Sequence, residues 1–414
     1  MGSRRFVRSV RGVLAVFALA VSASGARAAT DVVYSFAGDE DGEYPSTELV
    51  LDGAGNLYGT SVQGGEVGGG TVFQLTPSQS GWTHTVLYSF TGGPDGGQPY
   101  GGVTLDAQGN LYGTTVIGGN GGICVEEGCG VVYKLTKSGN NWTQTVLYNF
   151  TGGDDGYGPG SGLTLGSDGS LYGMTPTGGA YGLGVIFQLK PDQAGNWRFR
   201  VIHAFTGGED GGTGSAGRLL LDETGTLYGV ATVGGAHAKG TAFRLRPTQN
   251  GAWKLTTLYA FKGQPDAGFP YGGLAKDNSG NLYGTTYYDG ANNLGSVYQL
   301  APSSLGKWRE RVLYSFEGGS DGSNSISNLV IDAAGSLYGT TSEGGAPGCS
   351  CGTIFKLTRN GDGSWTESVV HRFTGVPDGA YPYNGMVADS NGNLYGATVH
   401  GGADDEGSVY QFTP

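Results

Sequence analysis

The sequence predicts an all-β chain folded as a seven-bladed β-propeller of four-stranded antiparallel blades. Three observations carry that prediction. First, "GNLYGT" at 55–60 recurs as near-copies at 109–114, 280–285 and 392–397, and more loosely at 169–174, 225–230 and 335–340. The shared tyrosines (Tyr58, Tyr112, Tyr172, Tyr228, Tyr283, Tyr338, Tyr395) stand 54 to 60 residues apart, the period of a repeat architecture. Second, each unit reads as four short strands with turn residues between them. Third, the two ends match. "DVVYSF" (31–36) is the fourth strand of a unit with no unit before it, and "SVYQF" (408–412) is a third strand with no fourth after it. The first strand is therefore expected to complete the last blade and leave no open edge.

Strand A ends in an apolar-x-x-Asp frame, as in "LVLD" (49–52) and "LVID" (329–332). Its first apolar position is Leu49, Val103, Leu163, Leu219, Leu274, Leu329 or Met386. The Asp (Asp52, Asp106, Asp222, Asp277, Asp332, Asp389) precedes a tight turn whose N–H groups its carboxylate can accept; Gly166 replaces it in the third unit. Strand B is the recurring motif. Its central glycine is present in every unit, from Gly59 to Gly396. A glycine inside a strand implies a close approach, expected here from an aromatic of the adjacent blade. Strand C follows Gly70, Gly130, Gly184, Gly240, Gly295, Gly352 and Gly407, and always carries an aromatic: Phe73, Tyr133, Phe187, Phe243, Tyr298, Phe355 or Tyr410. A polar loop with a tryptophan leads to strand D. The six tryptophans match the six covalent C–D connections of a ring closed in this way. A linear solenoid would give no reason for the matching half-blades.

Composition agrees. Of 414 residues 83 are glycine, without a G-X-Y period, and 11% are aromatic, too many for a disordered glycine-rich chain. The first 28 residues read as a signal peptide. Arg4, Arg5, Arg8 and Arg11 precede "VLAVFALAV" (13–21), and Ala26 and Ala28 suit cleavage after Ala28. "SRRFV" (3–7) is similar to a twin-arginine signal with its phenylalanine one place early. A single propeller domain then covers 29–414, in an exported, extracellular or periplasmic protein expected to be a monomer. Loss of the five leader arginines moves the formal charge from −12 to −17. That charge argues against nucleic acid and anionic lipid as partners. No second apolar segment is long enough to span a membrane. Four cysteines come as local pairs, Cys124/Cys129 and Cys349/Cys351. An exported chain can oxidise both pairs, the second across a tight spacing; free thiols or a metal site are the alternatives.

Units of the form "GLxxDxxGNLYGTTxxGG…GxVFxLTP…WxxTVLYSFTGGxDG" resemble the GloVer-type tandem repeats of exported bacterial proteins. "LDAQGNLYGTTVIGG" (105–119) and "KDNSGNLYGTTYYDG" (276–290) are close copies of that pattern. The resemblance spans residues 31–414. It departs in showing no apolar anchor after the last repeat. The A–B hairpin is also similar to those of NHL-type and streptogramin-lyase-type propellers, a likeness of fold that transfers no chemistry.

The D–A and B–C loops emerge on one face, where propellers bind. Each D–A loop holds an aspartate: Asp41, Asp95, Asp155, Asp210, Asp266, Asp321 and Asp378. Each can pin its own turn. Alternatively the seven ring the opening and attract Ca²⁺ or a cationic group. The same loops hold Tyr100, Tyr271, Tyr383, Tyr287 and Tyr288, with Phe269 and Tyr381. Aromatics among Asp, Asn and Gly suit sugar faces and hydroxyls; the simpler reading is packing against "QPY", "FPY" and "YPY". His203 and His371 occupy the place of a strand-D tyrosine, and His237 and His400 stand isolated. No GxSxG, HExxH or P-loop pattern occurs. The expectation is a binding scaffold for carbohydrate or an extracellular protein. The alternatives are an enzyme acting on carbohydrate or a lactone through loop carboxylates, and a purely structural surface protein.

Overall fold

In the computed structural model, which describes residues 28–124, 127–139, 141–214, 217–304 and 306–414, seven antiparallel sheets follow one another along the chain. The expected signal peptide lies outside the described residues, apart from Ala28. Blade 1 shows the pattern, with strands A Val50–Leu51, B Leu57–Ser61, C Thr71–Ser78 and D Gly81–Ser89 in that order across the sheet. Blade 7 is assembled from both ends of the chain. Ala29–Ser35 pairs with Ser408–Thr413, with Thr30 opposite Phe412 and Ser35 opposite Ser408. The expected closure is present and extends two residues further toward the N-terminus than anticipated.

Seven hydrophobic clusters fill the seven seams between blades, including the seam from blade 7 to blade 1 (Phe36, Tyr395 and Val409 against Leu49, Leu57 and Phe73). One contact repeats in all of them. The phenylalanine after strand D meets the strand-C aromatic of the next blade edge to face. Examples are Phe36–Phe73 at 5.2 Å, Phe261–Tyr298 at 4.9 Å and Phe373–Tyr410 at 5.1 Å between ring centroids. Such a pair contributes about 0.5–1.5 kcal/mol beyond its area burial.

The strand-B glycine belongs to this contact, but differently from the expectation. Gly59 stands directly opposite Phe73 of its own blade, and a Cβ on Gly59 would lie 2.6 Å from Phe73 Cζ and 2.7 Å from Leu49 Cδ2. The ring over the glycine therefore comes from the same sheet. The adjacent blade reaches the glycine only through its phenylalanine, which packs on that ring. Register explains this: a strand-B residue faces its cross-strand partner before it can face another sheet.

The tryptophans open strand D rather than sitting in the preceding loop, and they reach back to the previous blade. Trp197 meets Tyr112 at 5.9 Å and Trp253 meets Tyr172 at 5.8 Å. Blade 7 has no tryptophan. Phe412, where the other blades carry leucine, approaches Tyr338 at 6.3 Å. The strand-A aspartate closes its turn as expected. Asp52 accepts from the Ala54 and Asn56 N–H groups, the Asn56 amide and the Tyr58 hydroxyl at 2.7–3.1 Å. Burial opposes its charge, but these bonds hold its carboxyl below the ordinary range. In blade 3, where Gly166 interrupts the pattern, Asp168 takes over by accepting from Ser170 N and Lys190 Nζ.

Both cysteine pairs are disulfide-bonded, with Cα atoms 5.3 Å apart for Cys124–Cys129 and 5.2 Å for Cys349–Cys351. No helix among the described residues is long and apolar enough to cross a membrane.

Candidate functional site

An antiparallel A-B-C-D blade puts its A–B and C–D turns at one end and its B–C and D–A segments at the other. Backbone bridges confirm the second grouping: Glu43 pairs with Gln63, Gly97 with Ile117, Ser323 with Glu343 and Ala380 with His400. In blades 4 and 5 the same bridges lengthen into short extra strands, Gly212–Gly214 and Ala267–Pro270.

Six of the seven loop aspartates are turned toward strand D. The Tyr34, Tyr88, Tyr148 and Tyr314 hydroxyls donate to Asp41, Asp95, Asp155 and Asp321 at 2.7–3.0 Å. His203 and His371 take the same place against Asp210 and Asp378, at 2.9 and 3.0 Å. In these six blades the carboxylate also accepts the N–H four residues earlier, as from Thr151 to Asp155 at 2.8 Å. Blade 5 differs. Tyr259 donates to Glu310 instead, and Asp266 faces Lys262 at 3.8 Å. Among the described residues no three His, Cys, Asp or Glu side chains converge to hold a metal ion.

Three residues beyond each aspartate the chain takes a left-handed turn. Tyr44, Gln98, Gly158, Thr213, Phe269, Asn324 and Tyr381 all have φ between 54° and 63°. For a residue other than glycine this conformation costs on the order of 1 kcal/mol, so it must be held from outside. The hold comes from the previous blade. Each of the seven N–H groups donates to the carbonyl just before that blade's strand-C glycine, at 2.8–3.0 Å, from Gln98 to Gly69 through to Tyr44 to Glu406 at the ring closure. In five blades the next residue is a proline packed on that glycine; a Cβ on Gly70 would stand 2.7 Å from Pro99 Cδ. Both disulfides serve this joint, since Cys129 and Cys351 supply the accepting carbonyls for Gly158 and Tyr381.

The turn delivers the fifth residue after each aspartate to the axis. Ser46, Tyr100, Gly160, Tyr271, Ile326 and Tyr383, from six different blades, line one cavity of about 530 Å³ with Asn384, Tyr287 and Tyr288. The equivalent residue of blade 4, Ser215, lies outside the described residues. One layer further in, Arg218 spans the axis. It pairs with Glu48 at 3.2 Å and donates to the Val103 carbonyl at 3.0 Å, joining blades 4, 1 and 2 beneath the cavity. Burial, with the nearby Glu343 carboxylate contributing, pushes the Tyr287 and Tyr383 phenols above their ordinary range, so both remain hydroxyl donors.

The structure thus brings together Tyr100, Tyr271, Tyr287, Tyr288 and Tyr383, leaves Phe269 and Tyr381 outside the lining, and does not bring the seven aspartates with them. None of the nine lining residues is Asp or Glu. Asp41 instead borders a larger, open cleft of about 620 Å³ on the rim, with Glu40 and Glu66 against strand D of blade 1. That cleft draws on a single blade and gathers no aromatic set; the axial cavity is the better candidate. Sequence reasoning missed Ser46, Gly160, Ile326 and Asn384. Counting five residues from each aspartate would have found the first three.

Comparison with known proteins adds the following. No curated protein matches the chain. Among solved structures, a protein of unknown function from Dyadobacter fermentans is 11% identical, with a TM-score of 0.46, covering 92% of this chain and 96% of that one. A putative oxidoreductase (glucose dehydrogenase) from Thermus thermophilus is 13% identical, with a TM-score of 0.45, covering 93% and 100%. The model of the Gloeobacter/Verrucomicrobia repeat matches residues 15–129, 120–276 and 250–414 in tandem. On that match, which takes in every blade, the chain belongs to the Gloeobacter/Verrucomicrobia repeat family.

Proposed function

We propose that this protein is an exported binding scaffold whose D–A/B–C loop face holds carbohydrate in the axial cavity. The observation that carries the reading is the convergence of Tyr100, Tyr271, Tyr287, Tyr288 and Tyr383 without a lining carboxylate. Aromatic rings offer flat apolar faces to sugar C–H surfaces, and their hydroxyls with Asn384 offer donors and acceptors to sugar hydroxyls. Glycoside hydrolysis usually calls for two carboxylates facing the cleft, an arrangement the lining residues lack. The exposed apolar groups support the same face. Of nine large exposed ones among the described residues, eight lie in its loops, Val67, Ile123 and Tyr181 among them; Val32 is the exception. The two disulfides suit an oxidising compartment, extracellular or periplasmic.

The test is a glycan array followed by calorimetric titration, using the chain from Ala29 onward. At least one glycan should bind. The double substitution Tyr287→Ala and Tyr383→Ala should abolish that binding at an unchanged melting temperature. Absence of binding to any glycan up to millimolar concentration would remove the proposal.

A further inference from the structure

We infer that the ligand is an extended chain of amino sugars bearing free, protonated amines, laid across the axis from blade 5 to blade 1. This rests on the carbohydrate reading of the axial cavity and names its substrate class. Two sets of observations carry it.

The first is a track of rings that continues out of the cavity on both sides. On one side Tyr271 meets Tyr287 at 5.8 Å, Tyr287 meets Tyr288 at 4.6 Å, and Tyr288 meets Phe269, beyond the cavity lining, at 6.0 Å. On the other, Tyr383 meets Tyr381 at 6.2 Å, Tyr381 meets His400 at 5.7 Å, and His400 meets Tyr44 at 5.0 Å. Tyr381 and Tyr44 are two of the residues held in the left-handed turn, so the second arm is built on the joints between blades. A single sugar ring would reach only a few of these rings; a track of this length fits a polymer.

The second is the sign of the charge around the track. Among the described residues, 21 of 34 Asp and Glu residues lie in the segments that join strand D to A and strand B to C. Only three of 18 Lys and Arg residues do. The formal charge of those segments is −18, against +2 for the rest of the described chain. The three bases are all committed: Arg218 to Glu48 at 3.2 Å, Lys239 to Asp289 at 3.2 Å and Lys262 to Asp266 at 3.8 Å. Carboxylates stand along the track itself. Glu343 acts on Tyr287 and Tyr383, and Glu406, Glu43 and Asp405 act on Tyr44. Glu406 keeps one oxygen, Oε2, buried without a hydrogen-bond partner. A chain of uronates would be repelled from such a face, and a neutral chain would leave it unneutralised. Ammonium groups beside stacked sugar rings satisfy both the carboxylates and the rings.

The experiment titrates the chain from Ala29 onward with β-linked glucosamine oligomers of one to eight units, following tyrosine fluorescence at 50 and 500 mM NaCl. The N-acetylated series, neutral gluco-oligosaccharides, an oligouronate and oligolysine run alongside. Affinity should rise with length, exceed that of the N-acetylated series by about tenfold or more, and fall about tenfold at the higher salt. Glu343→Gln with Glu406→Gln should remove most of the preference for the free amine at an unchanged melting temperature. Equal or tighter binding of the N-acetylated, neutral or anionic chain would overturn the inference and leave the carbohydrate reading standing. Equal binding of oligolysine would overturn the sugar assignment. Silence from every sugar would take both away.

Discussion

At one end of each blade an aspartate closes the A–B turn; at the other, in every blade but the fifth, an aspartate closes the D–A turn. The first leads into strand B, whose Leu-Tyr-Gly core is the same in all seven copies. The second leads, five residues on, to Ser46, Tyr100, Gly160, Tyr271, Ile326 or Tyr383. Both turns are built from the same local chemistry, a carboxylate accepting nearby N–H groups and a phenol. What differs is what lies beyond them. Strand B packs within its own sheet and against both neighbouring blades, Leu57 toward blade 7 and Tyr58 toward blade 2, so every blade imposes the same requirement. The fifth residue of the D–A segment points at an axis shared by all blades, where seven equal side chains would serve no asymmetric ligand. The repeat therefore holds its backbone constant at the axis while its side chains diverge.

The largest expected effect lies at the constant end. Gly229→Val places a Cβ 2.7 Å from both Leu219 Cδ2 and Phe243 Cζ, and should cost about 3 kcal/mol of stability in urea unfolding. The cavity variant Tyr287→Ala/Tyr383→Ala should leave the same curve nearly unmoved. If the two behave alike, the distinction between wall and site fails.

A middle-sized effect is expected where the acidic face meets the wall. Glu367, on strand D of blade 6, is pushed up to about 7, first by burial and then by Asp321 and Glu317, with Arg372 acting the other way. A carboxyl whose folded pKa exceeds its unfolded value binds its proton more tightly when folded. Its contribution is complete below about pH 4.5 and is lost as pH rises through 7. The melting temperature should therefore fall between pH 5 and pH 8 by the equivalent of about 1 kcal/mol, after discounting for partial solvent screening. Glu367→Gln should flatten that fall.

The smallest effect concerns three hydroxyls inside the wall. Tyr133, Tyr298 and Tyr410 sit over their glycines, fully buried with no partner for the phenol oxygen, where the other four blades carry phenylalanine. Tyr133→Phe should stabilise the protein by about 1 kcal/mol or somewhat less, read as a higher denaturant midpoint at unchanged m. A loss would mean that the hydroxyl has a partner there.

Strand positions, blade number and ring closure could be read from the sequence because each rests on a residue type repeated at a fixed offset. The same reading gathered the five tyrosines, since they stand out where the copies disagree. Two things were not legible. The ring over Gly59 was assigned to the neighbouring blade because an intrasheet partner and an intersheet partner call for the same residue types; only register separates them. Whether the aspartates pin their own turns or ring the axis stays open in the sequence, because both readings call for a carboxylate at a fixed offset; the left-handed turn at Tyr44, Gln98 and their counterparts carries the chain onward from the aspartate before it reaches the axis. That turn is held by a carbonyl of another blade, and nothing local announces it when the residue is Tyr, Gln, Thr, Phe or Asn.

The pairing of Ala29–Ser35 with Ser408–Thr413 also sets a timetable. The first strand to be synthesised is the last to find its neighbour. At about 5–20 residues per second, its partner follows roughly 20–80 s later. Until then six blades can form in order, while the seventh lacks the strand C that joins its outer strand to its inner pair, and the ring cannot lock. Maturation is governed by arrival of residues 408–413, and a premature stop anywhere before them leaves an open ring with a free edge at each end.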